Sequence, residues 1–423
     1  MPSDRGSSNA IPASSEDGRA GAVAKGLDPK GDASPWHIFV RFLRFGLLAW
    51  GGPVAQIAML RRDLVDHEHW VSSSRFNRLL SVYQVLPGPE AHEMCVHLGI
   101  LRGRRLGGIA AGLGFMLPGF VLMLALSWLY LTIDLSQWTS LFLGVQVAVI
   151  ALIVRAIQNI GGHVLTDVPL WAIAVGSTIA SLVGVPFWLT LPVAGVAYVL
   201  AARGHVAAAV GIAGAAVAAY GISVSGAVFV GSGVIPQLPP LEPSPIGLFL
   251  SGLKAGLLTF GGAYTVIPFL RGDAVGGGWL TDARFLDGLV LSGILPAPLI
   301  IFATFVGYAS GGPVGAITMT GGIFLPAFAF SLLLFDRLES VLDNERLRRL
   351  LEGVAAGVVG LIAATTLDIA VELGKRLPSL LSGVLIFTAS LVVLVSLKGR
   401  MSTPVAIIVG GVCGWLLFGW LGH

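Results

Sequence analysis

Charge is what this chain most lacks. Lys, Arg, Asp and Glu make up 12% of its 423 residues, about half the share found in a soluble domain. That excludes an ordinary water-soluble globule. Cysteine is nearly absent as well. Cys95 and Cys413 both lie in apolar stretches, which argues against a disulfide framework and against a zinc site. There is no phosphate-binding P-loop, so nucleotide hydrolysis has no seat. The formal net charge is only +3, and the arginines fall between apolar runs. That pattern sets orientation in a membrane and does not make a nucleic-acid surface. The strict alternation of a transmembrane barrel is missing. Residues 1–34 are rich in Ser, Gly, Ala, Asp and Lys and begin with no apolar stretch. They read as a disordered cytoplasmic tail with no cleavable signal peptide. No catalytic residues, metal site or cofactor are expected.

What the chain has is apolar length, at 55% hydrophobic residues and a mean hydropathy of +0.85. Runs near 20 residues recur, among them 107–133, 206–232 and 404–421, each long enough to cross a hydrocarbon layer about 30 Å thick. It also has internal repetition. Residues 46–63, GLLAWGGPVAQIAMLRRD, are rewritten at 256–273 as GLLTFGGAYTVIPFLRGD. Leu86-Pro87-Gly88-Pro89 pairs with Leu295-Pro296-Ala297-Pro298, Leu117-Pro118-Gly119-Phe120 with Leu325-Pro326-Ala327-Phe328, and Gly144-Val145 with Gly353-Val354. A duplicated unit of about 200 residues is a common construction in secondary transporters.

These patterns predict an all-α polytopic membrane protein with about 13 apolar segments. Seven fall in a first repeat over 35–232, a linker follows at 233–245, and six fall in a second repeat over 246–423. An odd number in the first copy turns the second upside down. Charge agrees. The turn at 102–105 carries Arg102, Arg104 and Arg105, whereas its counterpart at 310–312 is Ser-Gly-Gly. The turn at 134–138 has no basic residue, whereas its counterpart at 336–349 carries Arg337, Arg346, Arg348 and Arg349. By the positive-inside rule the two halves are antiparallel, an inverted-topology repeat. The mixed charges of 61–78 and Lys375-Arg376, which fall outside, fit this scheme less well.

Gly51-Gly52-Pro53 interrupts the segment 36–60, and Pro87-Gly88-Pro89 interrupts 76–101. Fifteen helical residues before Gly51 reach only about 22 Å, so broken or re-entrant helices are expected. Proline ends one helix and favours the first turn of the next. The break then sets main-chain amides and a positive helix end near the midplane, which suits an anion. Gly51, Gly52, Pro53, Gln56, Pro87, Gly88, Pro89 and Glu90, with Gly261, Gly262, Pro296 and Pro298 of the second copy, form the candidate binding site. No membrane-embedded arginine or lysine stands at either break, Lys254 being the nearest. Glu90, Glu93 and His97 follow the second break, where the other copy has Leu299, Phe302 and Val306. Ionisable residues inside a membrane line pathways or relay protons, which makes these three the proton-coupling candidates. Gly108/Gly112 and Gly353/Gly357 have the spacing of helix-packing glycines.

His92-Glu93-Met94-Cys95-Val96-His97 imitates the metalloprotease HExxH. Its histidines stand five apart, however, about 140° round a helix, and cannot share one metal ion.

At Trp50-Gly51-Gly52-Pro53-Val54-Ala55-Gln56 and Leu86-Pro87-Gly88-Pro89-Glu90-Ala91, with Leu117-Pro118-Gly119 and the duplicate strings Phe260-Gly261-Gly262 and Leu295-Pro296-Ala297-Pro298, the chain resembles the chromate ion transporter family in its long, two-domain form. The likeness covers about 36–421. It implies two homologous halves of opposite orientation and export of chromate across the bacterial inner membrane, with sulfate as a related anion. The second copy departs in having Ala263 where the first has Pro53, and Pro-Ala-Pro for Pro-Gly-Pro. The lipid bilayer is the expected partner. A proton-coupled sulfate importer is the alternative within transport, and an intramembrane metalloprotease the alternative outside it. A homodimer is left open.

Overall fold

The computed structural model describes residues 33–50, 52–84, 86–133, 138–224, 241–260, 263–335, 344–397 and 401–420. Among these there are helices and no strands. The first repeat contains α1 (Pro35–Leu47), α2 (Gly52–Leu60), α3 (Ser73–Tyr83), α4 (Glu90–Thr132), α5 (Thr139–Val164), α6 (Val168–Leu182), α7 (Phe187–Ala201) and α8 (Val206–Val224). The second contains α9 (Pro245–Leu257), α10 (Ile267–Ala274), α11 (Asp282–Ile294), α12 (Phe302–Leu333), α13 (Glu345–Gly374), α14 (Leu380–Ser396) and α15 (Ser402–Gly414).

α4 is nominally one helix of 43 residues, yet it folds back on itself. Gly99 packs against Gly107 and Ala111, and Gly108 against Val96 and Ile100. In one straight helix, residues 99 and 107 would be about 12 Å apart. The reversal sits at Gly103 (φ −144°, ψ 30°) and Arg104 (φ 54°, ψ −157°). α12 repeats it at Gly311 (φ −146°, ψ 21°) and Gly312 (φ 63°, ψ −158°), and Gly307 packs against Gly315 across that turn. Each is therefore a short arm and a long arm joined by the same backbone turn. The copies agree at the next level too. α1 lies on the α4 hairpin with Gly114 closed against the Phe39 carbonyl, and α9 lies on α12 with Gly322 closed against that of Phe249. A methyl group at either glycine would collide with backbone, so these pairs set the spacing of the helices.

The copies also exchange partners. Gly144 of α5 packs on Gly410 and Gly414 of α15, and its repeat mate, Gly353 of α13, packs on Ala194 and Tyr198 of α7. Between the hairpins, Gly112 touches Phe328 near the end of α12, and Tyr130, near the end of α4, meets Phe305 near the start of α12 edge to face, with ring centroids 5.4 Å apart. The packing glycines Gly112, Gly353 and Gly357 are thus all contact points between copies.

Five helices are long and apolar enough to cross a membrane, α4, α5, α13, the α12 stretch from Leu299 and the one from Ser402, and shorter apolar helices accompany them. Their outward faces are apolar at helical spacing: Leu106, Ile109, Leu113, Leu117 and Val121 on α4, and Val168, Trp171, Val175, Ile179 and Leu182 on α6, are all exposed. Surfaces of this kind face lipid, and the protein is a polytopic membrane protein.

Candidate functional site

Both interruptions expected in the first copy occur. α1 stops at Leu47 and α2 restarts at Gly52. α3 stops at Tyr83 and α4 restarts at Glu90, directly after Pro89. The second copy repeats them at 258–266 and 295–301. Gly51, Gly261 and Gly262 lie outside the described residues.

A cavity of about 630 Å³ opens between the copies. Gly52, Pro53 and Glu90 of the first copy line it, and Tyr264 of the second copy faces them. Glu90 is 6% exposed. It stands in the first turn of a short helical arm, where the positive helix end favours negative charge. The remaining expected residues are placed around this floor. Gln56 is buried and its Nε2 donates to the Ala49 carbonyl at 3.0 Å, holding the end of α1. Gly88 has φ +149°. Its amide is not left over for a ligand, because it donates to the Thr259 carbonyl of the second copy at 2.7 Å. The two breaks are thus tied by main chain, which corrects the expectation of a free amide at this residue. Pro296 and Pro298 are not in the cavity wall. Ala297 between them packs on Gly119 of α4.

Behind the floor lies a sealed polar group of the first copy. Glu93 is 0% exposed, and its carboxylate rests against the Cα of Gly88, where any side chain would strike it. Tyr83 and His97 Nδ1 share a hydrogen bond of 2.9 Å, and Ser331 Oγ donates to the Glu93 carbonyl at 3.4 Å. Seven buried side-chain polar atoms lack a hydrogen-bond partner among the described residues. Five of them belong to Gln56, His92, Glu93 and His97. Unsatisfied polar atoms are costly and rare in a finished interior, and here they gather beside the two breaks of the first copy. His92 Nε2 is bonded to the Gly112 carbonyl at 3.2 Å, and no cluster of three metal-binding side chains occurs among the described residues.

Two basic residues need correction. Lys254 is not available to a ligand, since Nζ pairs with Asp273 Oδ1 at 2.5 Å and lies over the Phe187 ring. Conversely, an arginine does stand inside a helix long and apolar enough to cross a membrane. Arg155 belongs to α5 and lines the cavity with Asn159 and His163. In the sequence the apolar run 139–157 ends two residues after Arg155, which puts Arg155 at the end of the run. In the structure α5 continues to Val164, so Arg155 is more than two turns inside it. The signal was legible in the i, i+4, i+8 spacing of Arg155, Asn159 and His163, which shares one helix face.

A second polar tie was not foreseen. Asp287 is 8% exposed and accepts hydrogen bonds from Tyr130 Oη and Gln146 Nε2, both at 2.5 Å. Arg376 Nη2 donates to Gln146 Oε1 at 3.1 Å. The network joins α4 and α5 of the first copy to α11 and the end of α13 in the second.

No solved structure matches the chain. A chromate transport protein of Pseudomonas aeruginosa is 58% identical over 388 residues, covering 90% of this chain and 92% of its own length. One of Cupriavidus metallidurans is 29% identical over 92% of this chain and 94% of its own length. A probable chromate transport protein of Synechococcus elongatus is 28% identical over 88% and 93%. The chromate transporter family model matches twice, at residues 36–201 and 246–415, once for each copy of the fold. With both repeats matched and the tied breaks inside them, the chain belongs to the chromate transporter family.

Proposed function

We propose that this protein exports chromate from the bacterial cytoplasm across the inner membrane as a secondary transporter. The family consists of transport proteins and not enzymes, and the relatives at 58% and 29% identity are named chromate transport proteins. The observation that carries the reading is the cavity between the copies, with Gly52, Pro53 and Glu90 at its floor. Helix ends and glycine-proline breaks at the depth of the membrane bind anions without burying a counter-cation. Chromate and sulfate are both tetrahedral dianions. An inside-negative potential of about 100 mV favours exit of such an ion by about 4.6 kcal/mol, so efflux needs no nucleotide.

The halves 35–232 and 246–423 are taken as inverted repeats of about 13 segments. The contacts of Gly112 with Phe328 and of Tyr130 with Phe305 support antiparallel hairpins, as does the basic turn at 102–105 against Ser-Gly-Gly at 310–312. In that orientation the cavity faces the cytoplasm. Leu351 and Ser402 line it, and both adjoin the basic stretches holding Arg346, Arg348, Arg349, Lys398 and Arg400.

Glu90 is the proposed coupling group, and Glu93 and His97 are the alternatives behind it. An ionised Glu90 and a dianion at the same floor repel strongly in a medium of low dielectric. Protonation of Glu90 and anion occupancy therefore favour each other, and the ionised carboxylate takes the positive helix end when the anion leaves. A proton-coupled importer of sulfate would use the same parts in reverse.

Chromate accumulation in cells expressing the protein, with and without a collapsed membrane potential, tests the direction. Expression should lower accumulation, and collapse of the potential should abolish most of the difference. Higher accumulation on expression would overturn export.

A further inference from the structure

We propose that Arg155, Asn159 and His163 form a docking station for a tetrahedral oxyanion in the cavity, upstream of the break. The proposal rests on the oxyanion-transport reading and adds a side-chain subsite to it. All three residues sit on one face of α5 and line the cavity. The adjoining face is buried, with Val149 and Ile153 in the core and Ala156 and Ile160 at the edge of the cavity. An arginine in a membrane helix is expensive, and such residues face water-filled paths and mark ion routes. Arg155 makes no ion pair among the described residues. Its Nη1 donates to Gln158 Oε1 at 3.2 Å, which steadies the guanidinium and leaves its other N–H groups for a ligand. His163 Nδ1 lies 2.7 Å from the Asn159 carbonyl, so its Nε2 edge points away from its own helix. A guanidinium fork, a carboxamide and an imidazole offer the donors that oxyanions take.

The facing charges do not cancel the station. Glu90 is at the floor, and Glu352, on the opposite wall, has Arg348 Nε 3.8 Å from its Oε1. The duplication supplies an internal control. With Gly144 aligned to Gly353, the positions matching Arg155, Asn159 and His163 in α13 are Ala364, Asp368 and Glu372. The same face of the same element is therefore cationic in one copy and acidic in the other. Asp368 and Glu372 are partnered by Arg271 at 3.8 Å and Lys375 at 2.5 Å. In an inverted pair, the cationic stripe serves one mouth and the acidic stripe the other. An anion is attracted at the first and not at the second, which lowers the half-saturating concentration on the side of the cationic stripe while the potential sets the direction of net flux.

The test is radiolabelled chromate uptake by inside-out vesicles, measured against chromate concentration at clamped potential. Arg155→Gln should raise the half-saturating concentration about tenfold or more. Arg155→Lys, which keeps the charge and loses the fork, should recover part of that loss. Arg203→Gln, on an exposed turn, should change nothing. An unchanged half-saturating concentration in Arg155→Gln overturns the station. Should that variant fail to reach the membrane, Asn159→Leu and His163→Ala decide, and unchanged half-saturation in both overturns it equally. If the wild type moves no chromate, the transport reading itself has failed. If the wild type transports and Gly88→Val blocks it while the Arg155 variants behave as wild type, the break stands and the station falls.

Discussion

At the scale of single residues, Gly88 and Glu90 carry the account. Gly88 has a positive φ, donates its amide across to Thr259, and leaves no room for a side chain because the Glu93 carboxylate fills the space. Gly88→Val should therefore reach the membrane and fail to transport, since the new side chain pushes Glu93 away and pulls the two breaks apart. Glu90→Gln removes a charge from the cavity floor and keeps the shape. It should bind chromate and lose the pH dependence of transport, measured as rate against pH in proteoliposomes at fixed potential. A profile matching the wild type would move the coupling role to Glu93 or His97. The three differ in setting: Glu90 meets the cavity, whereas Glu93 and His97 are sealed behind it.

At the scale of elements, the two hairpins offer a matched comparison. The turn in α4 puts Arg104 at φ 54° where α12 has Gly312 at φ 63°. A side chain in that region is strained by about 1–3 kcal/mol. Gly312→Ala should lower the thermal stability of the purified protein by an amount in that range, while Arg104→Gly should leave it equal or raise it. Stability unchanged by Gly312→Ala would mean that the turn is not held as described. The breaks themselves were legible in the sequence, because glycine and proline have few reasons to recur at matching places in apolar runs. What those breaks touch was not. The Gly88–Thr259 bond joins residues 171 apart in the chain, and no local pattern foretells such a pairing. Arg155 was missed for a different reason. Hydropathy marks where an apolar run fades, and α5 runs on for seven residues past that point with one wet face.

At the scale of the whole molecule, the copies are interlocked: α6 and α7 of the first pack on α13 of the second, and α15 of the second packs on α5 of the first. The repeat offset predicted the matching of elements but not this exchange, since similarity between halves says nothing about which half packs on which. The Tyr130–Asp287–Gln146–Arg376 network, buried at Asp287 and Gln146, spans the same interface. Nothing local in the sequence marks Asp287 as a tie between the halves, because its neighbours in space come from positions 130, 146 and 376. Asp287→Ala strips the buried Gln146 and the half-buried Tyr130 of their acceptor and should cost about 1–3 kcal/mol for the buried group left unpaired, seen as a lower melting temperature in detergent. No change in melting would show that the network does not hold the halves together.

The central claim is that an oxyanion passes through the cavity between the copies by way of the first-copy break. The most direct measurement is radiolabelled chromate flux in proteoliposomes holding only the purified protein, with an imposed potential, for the wild type and Gly88→Val side by side. The account predicts potential-driven chromate flux in the wild type, and flux reduced to the protein-free background in Gly88→Val despite equal incorporation. Wild-type flux at background, or full flux in Gly88→Val, would contradict it.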